Sequence, residues 1–446
     1  MNPEQLYGRQ LLSDELSDVD LRQVASLQRR PAMSQHGRRI RCERCQTWHV
    51  SDQVRLPTGT YFCPACLTLG RVTSRQQLVG LPEQNAFKPP VHPLTWQGEL
   101  TRLQTACAQV IVTVFQQRRQ HLLWAVTGAG KTEMLFPGLA DALARGDRIA
   151  VASPRVDVCL ELAPRLKRAF AGVPIAVLHG RQTQPYAYRQ LTVCTTHQLY
   201  RFYHAFDVIV VDEVDAFPFA HNPRLAVAVA TARKLTGATL YLTATPSRAL
   251  LRDVHHGRLT LSYLPLRFHG HVLPELTVRL AINWRHQLAR HHLPAGMLRV
   301  LSQFIKREQR FLLFVPHVAQ LAVVAKILTR VFPKLTFATV HATDPERLEK
   351  VTAMRERQVQ GLITTTILER GVTLPGIDVL ILGADDPVFS SAALVQMAGR
   401  AGRSADRPTG LVCAWVSTQT RTIKEAQRQI RLVNRKGRRL PEWQPV

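Results

Sequence analysis

The residues with the clearest chemical potential are Thr127-Gly128-Ala129-Gly130-Lys131-Thr132. They follow an apolar run, Leu122-Leu123-Trp124-Ala125-Val126, that reads as a buried strand. They lead into Glu133-Met134-Leu135-Phe136, which reads as the start of a helix. Strand, glycine turn, Lys-Thr and helix make a phosphate-binding loop. The glycines let backbone N–H groups wrap a polyphosphate, and the helix N-terminus adds a favourable dipole. In that arrangement Thr127, Gly128, Ala129 and Gly130 cradle the phosphates of ATP. Lys131 reaches the β- and γ-phosphates, and Thr132 holds Mg2+ through its hydroxyl. The strict pattern has glycine where Ala125 stands. Pro137 falls one turn into the expected helix and should kink it.

A second strand-like run, Val208-Ile209-Val210-Val211, ends in Asp212-Glu213-Val214-Asp215. Adjacent carboxylates at a strand end suit phosphoryl transfer: Asp212 holds Mg2+ through water, and Glu213 orients and deprotonates the attacking water. Thr243 and Thr245, at the end of another strand, could link this acidic loop to a bound nucleic-acid strand. Gln396-Met397-Ala398-Gly399-Arg400-Ala401-Gly402-Arg403 places two arginines three residues apart, at what reads as a helix start. Arg400 and Arg403 can lie against a phosphate as arginine fingers, an effect of roughly 10³–10⁵ in rate. Taken singly, the acids could be a strand cap and the arginines a solvated basic face. Together with Lys131 and Thr132 they point to ATP hydrolysis.

The chain has eight cysteines. Cys42, Cys45, Cys63 and Cys66 form two C-x₂-C pairs with seventeen residues between them. That spacing suits a structural zinc ion, with four thiolates closing a tetrahedron. Zinc would supply most of the folding free energy of so small a unit, on the order of 10 kcal/mol. Trp48, His49, Tyr61 and Phe62 lie between the pairs and are expected to pack around the metal, with base stacking as the alternative. Four thiolates leave His49 no ligand position. Cys107, Cys159, Cys194 and Cys413 stand in apolar surroundings and read as small core residues. This usage fits a reduced, intracellular protein with a metal site rather than a disulfide scaffold.

The elements that position these groups run through a chain of 446 residues, 46% hydrophobic, with a formal charge of +26. Such an excess argues for a polyanionic partner, nucleic acid first and an anionic membrane surface second. No apolar run reaches the length of a spanning helix. The acidic N-terminus (Asp14, Glu15, Asp18, Asp20) is unlike a secretory signal. Residues 1–40 read as a partly helical or mobile leader, 41–70 as the zinc module and 71–93, rich in proline, as a linker. A helix is expected to about Arg119. From Leu122 onward short apolar strands alternate with amphipathic helices, with strands at 149–152, 191–195, 207–211 and 239–243. This is the pattern of a parallel sheet covered on both faces. A second alternation starts near Phe311 and continues through 336–340, 361–365, 378–382 and 410–415. The tail from Lys424 reads as a basic helix whose charges keep to no single face. The fold class is therefore α/β, with one sheet domain over 94–268 and a second over 269–446.

The motifs, in this order, resemble those of the superfamily 2 helicases and translocases, from about residue 94 to the end. The resemblance implies two tandem RecA-like domains with parallel sheets, ATP in the cleft between them, and a single strand across the top. Carried over by position, Gln104 is the adenine-reading glutamine, with Gln97 a second candidate. Pro154, Arg155, Thr195, Thr365 and Thr366 fall in motifs that touch nucleic acid. More narrowly, the order of three features is similar to the ComFA-type late competence ATPases of Gram-positive bacteria. These are a four-cysteine module before Leu94-Thr95-Trp96, then Thr-Gly-Ala-Gly-Lys-Thr-Glu-Met, then Asp-Glu-Val-Asp-Ala-Phe-Pro. That family implies an ATP-dependent translocase that draws single-stranded DNA into the cytoplasm during natural competence. It implies a cytoplasmic location, peripheral to the inner face of the cell membrane. It also implies a ComFC-like competence protein and the DNA-uptake channel as partners, with oligomerisation left open. The alternative is a PriA-like helicase of replication restart or repair. PriA shares much of the motor but carries its zinc cysteines within the second motor domain, whereas here they precede the motor. A nonenzymatic DNA clamp and an RNA helicase are further alternatives.

Overall fold

Short strands come first, where the apolar residues are sparse. In a computed structural model, which describes residues 2–17, 26–180, 182, 185–404 and 406–444, the N-terminal strands are Leu11–Leu12 (β1), Gln28–Pro31 (β2), Met33–His36 (β3), Arg39–Cys42 (β4), Trp48–Val50 (β5) and Gln77–Gly80 (β6). They form two antiparallel sheets, ordered β1-β6-β2 and β3-β4-β5.

The leader reading does not hold for the described part of residues 1–40. Leu6, Leu11 and Leu16 bury themselves against Val79 and Leu81. These residues are too widely spaced for a helical period, but two- to four-residue strands need only one or two inward side chains. Asp18 and Asp20 lie outside the described residues. The linker reading of 71–93 is also revised. β6 is the central strand of its sheet, Glu83 pairs with the fully buried Arg148, and Asn85 Nδ2 donates to Asp207 at 2.8 Å. Phe87 stacks on Tyr188 with ring centroids 4.5 Å apart.

The chain divides into two compact units. The first comprises Met1–Trp124 and Lys131–Ser262, the second Tyr263–Val446 together with Ala125–Gly130. The large sheet of the first unit uses Gln120–Ala125 (β7), Ile149–Ser153 (β8), Ile175–Leu178 (β9), Leu191–Thr195 (β10), Phe206–Val211 (β11), Arg233–Thr243 (β12) and Thr260–Leu264 (β13). Its order is β13-β7-β12-β11-β8-β10-β9, and the pairings from β7 across to β9 are parallel. The helices are Arg102–Gln116 (α1), Lys131–Ala144 (α2), Val156–Ala169 (α3), Pro223–Ala232 (α4) and Arg248–His255 (α5). Every residue of β8 and β10 is buried, and both are mainly apolar with Ser153, Thr192 and Thr195 as the polar exceptions.

The second unit carries Thr277–Leu280 (β14), Phe311–Phe314 (β15), Phe337–Val340 (β16), Gly361–Thr364 (β17), Asp378–Leu382 (β18) and Val412–Val416 (β19). They form one parallel sheet ordered β14-β19-β18-β15-β17-β16. The helices are Trp284–Ala289 (α6), Ala295–Lys306 (α7), Val318–Val331 (α8), Arg347–Arg355 (α9), Ser391–Ala398 (α10) and Arg421–Gly437 (α11). The basic tail is more ordered than its charge suggests. Ile423, Ala426, Ile430, Val433 and Gly437 of α11 are buried, a three- and four-residue spacing that lays one stripe on the unit. Asn434 fastens the stripe, its amide accepting from Leu273 N–H at 3.0 Å and donating to Leu273 C=O at 2.8 Å.

Candidate nucleotide site and metal centre

The phosphate loop follows β7 directly. Gly128 and Gly130 have φ of +85° and +76°, in the left-handed region that glycine enters without a Cβ penalty. Lys131 opens α2, and Thr132 beside it is buried. The helix runs on through Pro137. α2 lies so close to α1 that a Cβ on Gly138 would meet Ile111 Cγ2 at 2.8 Å. Gln104 has a role the sequence reading missed. Its Oε1 accepts from the Thr101 N–H at 2.9 Å in the capping box of α1. Gln97 remains exposed.

The acidic loop follows β11, which lies between β8 and β12. Asp212 accepts from Glu213 N–H at 2.8 Å. Burial raises the pKa of its carboxyl, and the Lys131 ammonium is the largest influence pulling it back down. Glu213 sits at φ +54°, a left-handed conformation that costs a non-glycine residue on the order of 1 kcal/mol or more. The Thr-Ala-Thr strand end holds the loop in place. Thr243 Oγ1 donates to Asp215 at 2.7 Å, and Thr245 Oγ1 donates to the second Asp215 oxygen.

Thr195 ends β10 in register with Ser153 at the end of β8, and Pro154 and Arg155 follow. The Arg155 guanidinium pairs with Asp157 at 3.3 and 2.9 Å. The first unit therefore gathers Lys131, Thr132, Asp212, Glu213, Pro154, Arg155 and Thr195 along the carboxyl edge of one parallel sheet. Ligands of open α/β sheets bind at such edges.

In the second unit Thr365 and Thr366 follow β17. Arg400 and Arg403 stand at the C-terminal end of α10 and not at a helix start, because the glycines of Gly-Arg-Ala-Gly-Arg stop the helix. Arg400 is buried and its Nε donates to Glu369 C=O at 2.9 Å. Arg403 lies at φ +69°, and its Nε donates to Gly399 C=O at 2.7 Å. Sequence reasoning passed over Arg267. Its Nη1 donates to Ala401 C=O at 2.8 Å and Pro408 C=O at 3.0 Å, and its Nη2 donates to Gly399 C=O at 3.1 Å. Burial pushes its pKa down to about 9. A lone arginine in a proline-rich stretch carries no motif that would have flagged it.

The four cysteines of the N-terminal module converge. Cys42 Sγ lies 3.8 Å from Cys66 Sγ, and Cys45 Sγ lies 3.5 Å from Cys63 Sγ. All four sulfurs fall within 4.8 Å of one another and are buried. Tetrahedral zinc with Zn–S of about 2.3 Å requires sulfurs about 3.8 Å apart, so the donor set fits that ion. His49 Nε2 approaches Cys63 Sγ at 3.3 Å, the position of a neighbour to a bound thiolate. Arg44 ties the two knuckles by donating to Cys66 C=O at 3.2 Å and Gly70 C=O at 2.7 Å. Tyr61 and Phe62 pack on the core beside the cysteines as expected. Trp48 does not: it is 47% exposed. The other four cysteines are buried free thiols, and Cys159 Sγ lies 3.1 Å from Cys194 C=O.

Residues 3–80 match the family described as the competence protein ComFA N-terminal domain. Residues 97–248 match the type III restriction enzyme res subunit, and 296–405 the helicase conserved C-terminal domain. Competence protein ComFA of Bacillus subtilis (strain 168) is 39% identical over 411 residues, covering 90% of this chain and 87% of the relative. The chain belongs to the ComFA family. Competence protein ComFA of Streptococcus pneumoniae (strain ATCC BAA-255 / R6) is 37% identical over 430 residues, covering 96% of this chain and 98% of the relative. Among solved structures, Dbp5 of S. cerevisiae bound to RNA and ADP BeF3 superposes with a TM-score of 0.54 at 14% identity, over 75% of this chain and 92% of its own. The fold is that of tandem RecA-like helicase domains preceded by a four-cysteine module. The ComFA assignment makes this chain a competence-associated, helicase-like ATPase of the superfamily 2 type. Among the described residues no helix is long and apolar enough to cross a membrane.

Proposed function

We propose that this ComFA-family chain is an ATP-driven translocase that moves along single-stranded DNA and draws transforming DNA into the cytoplasm. The observation that carries this reading is the alignment of Lys131, Thr132, Asp212 and Glu213 on one sheet edge, in a family member with a charge of +26. Lys131 and the loop amides bind the phosphates, and Thr132 and Asp212 hold the metal side of the nucleotide. Bound Mg2+ supplies charge neutralisation at the β- and γ-phosphates. Glu213 orients water for attack. Arg400 and Arg403 neutralise the transferred phosphoryl group, with Arg267 anchoring the Gly399, Ala401 and Pro408 carbonyls around them. Pro154, Arg155, Thr195, Thr365 and Thr366 contact the strand, whose phosphates supply most of the affinity, so binding weakens steeply with salt. A ComFC-like protein and the membrane channel are the partners this role requires, reached from the cytoplasmic face.

The test is ATP hydrolysis by the zinc-loaded protein with single-stranded DNA, duplex DNA or RNA. Stimulation by single-stranded DNA without unwinding of a tailed duplex is expected. Unwinding would favour a PriA-like restart helicase. Because Dbp5 was solved with RNA, preference for RNA is the outcome that would overturn the DNA assignment. Lys131→Ala should abolish turnover, and wild-type hydrolysis by that variant would place the nucleotide site elsewhere.

A further inference from the structure

The β3-β4-β5 sheet has two unlike faces. Across it Met33 pairs with Cys42, Ile40 with His49, Arg41 with Ser34 and Trp48, and Arg39 with His36 and Val50. Side chains alternate along a strand, so paired residues share a face. Met33, Ile40 and Cys42 are buried on the face toward the thiols, where His49 also sits. The opposite face carries Arg39, Arg41, His36, Val50 and Trp48. Arg39, His36, Val50 and Trp48 are exposed.

This outer face is organised around the indole. His36 stands edge-on to Trp48 with ring centroids 5.2 Å apart, and the Arg41 guanidinium lies 5.8 Å from the Trp48 ring centroid. Among the described residues Arg38, Arg39 and Arg41 enter no ion pair, and Arg41 Nε is buried without a hydrogen-bond partner. None of the strand residues on this face is a carboxylate, and Glu43 and Asp52 come after the ends of β4 and β5. The indole contributes little to the metal core, as the thiols lie on the other side of the sheet. A flat aromatic ring flanked by uncompensated guanidinium groups matches the stacking-plus-phosphate chemistry of single-strand binding surfaces.

We propose that this outer face of the four-cysteine module binds single-stranded nucleic acid, with Trp48 stacking on a base and Arg39 and Arg41 taking the adjoining phosphates. The contact requires no ATP and does not depend on the motor reading above.

The experiment is fluorescence anisotropy of labelled oligothymidine with the full-length, zinc-loaded, nucleotide-free protein across a range of KCl. Trp48→Ala should weaken binding about 5- to 150-fold, the range of one lost base–aromatic stack. Trp48→Phe should retain most of the affinity. Arg39→Gln combined with Arg41→Gln should lower the slope of log K against log salt by about 1.4, two phosphate contacts on a single strand. Zinc content, unchanged in each variant, separates these losses from misfolding. Zinc-loaded Trp48→Ala and double-arginine variants that bind as tightly as wild type would overturn the proposal and leave the face to a protein partner. Lys131→Ala should lose turnover yet keep wild-type affinity here, so failure of the motor reading and failure of this one are told apart.

Discussion

The placing of the Asp212 carboxyl comes at a cost to the fold. Burial raises its pKa and Lys131 only partly offsets that. A folded-state pKa above the unfolded one means that the folded chain holds the proton longer. Stability is then lost as pH rises from the ordinary carboxylate range through the folded pKa. At neutral pH Asp212→Asn should therefore raise the melting midpoint of the nucleotide-free protein, by about 2–4 °C for each kcal/mol relieved, while turnover falls to background. Differential scanning fluorimetry with an ATPase assay reads both. A lowered midpoint would mean that the Lys131–Asp212 attraction outweighs desolvation. Arg267 poses the opposite case, a buried cation whose Nη1 and Nη2 donate to three carbonyls while its Nε is left without a hydrogen-bond partner. Arg267→Met should cost about 3 kcal/mol, since each buried acceptor left unmade costs about 1 kcal/mol or more. It should lower kcat more than it changes KM for ATP, because it loosens the segment bearing Arg400 and Arg403. Equal effects on both would make Arg267 a purely structural residue. The positions of Lys131 and Asp212 at the ends of strand segments, and the convergence of the four cysteines, were legible because local spacing sets them. Arg267 was not, because its role depends on where the chain folds back.

At the scale of elements, strands buried on both faces announce themselves. β8, β10, β11, β15 and β18 are mainly apolar, and the structure puts them close to where the sequence does. The edge strands β9 and β14 were missed; each is four residues long, and β14 buries none of its side chains. The stripe on α11 was hidden by the arginines around it. β7 shows how an element's start bears on the site at its end. His121, near its beginning, is 1% exposed, with its ring nitrogens 2.6 Å from Thr260 Oγ1 and 3.0 Å from Ser262 Oγ. Burial pushes its pKa down to about 4. A depressed folded pKa gives stability that is present above the unfolded value near 6.5 and lost as pH falls toward 4. The slope is at most about 1.4 kcal/mol per pH unit, so roughly 3 kcal/mol is at stake over that window. Urea denaturation at pH 7 and pH 5 should show about 2 kcal/mol of this loss in the wild type and a smaller loss in His121→Gln. The same loss in both would place the acid sensitivity outside β7.

At the scale of the whole molecule, the two βα alternations were visible in the sequence as two sheet domains. Hidden from it was the joining of the N-terminal pieces to the first of them. Sequence separation conceals contacts such as Glu83 with the buried Arg148, and no local pattern marks them. The four-cysteine module is likewise part of a larger core. Cys42, Cys45, Cys63 and Cys66 share one buried cluster with Tyr200 and Phe202 and with Leu225, Ala228 and Val229 of α4. A structural zinc ion contributes on the order of 10 kcal/mol, comparable to the entire stability of a typical domain at about 5–15 kcal/mol. Stripping the metal should therefore do more than unfold residues 40–70. It should raise hydrogen exchange in α4 and in β11, which carries Asp212 and Glu213 at its end, and so reduce ATP hydrolysis by a protein whose nucleotide residues are untouched. Hydrogen exchange with and without a chelator measures this directly. Faster exchange confined to residues 40–70, with α4 and β11 unchanged, would show that the motor sheet stands without the module. The cysteines would then serve a surface the module presents rather than the fold it joins.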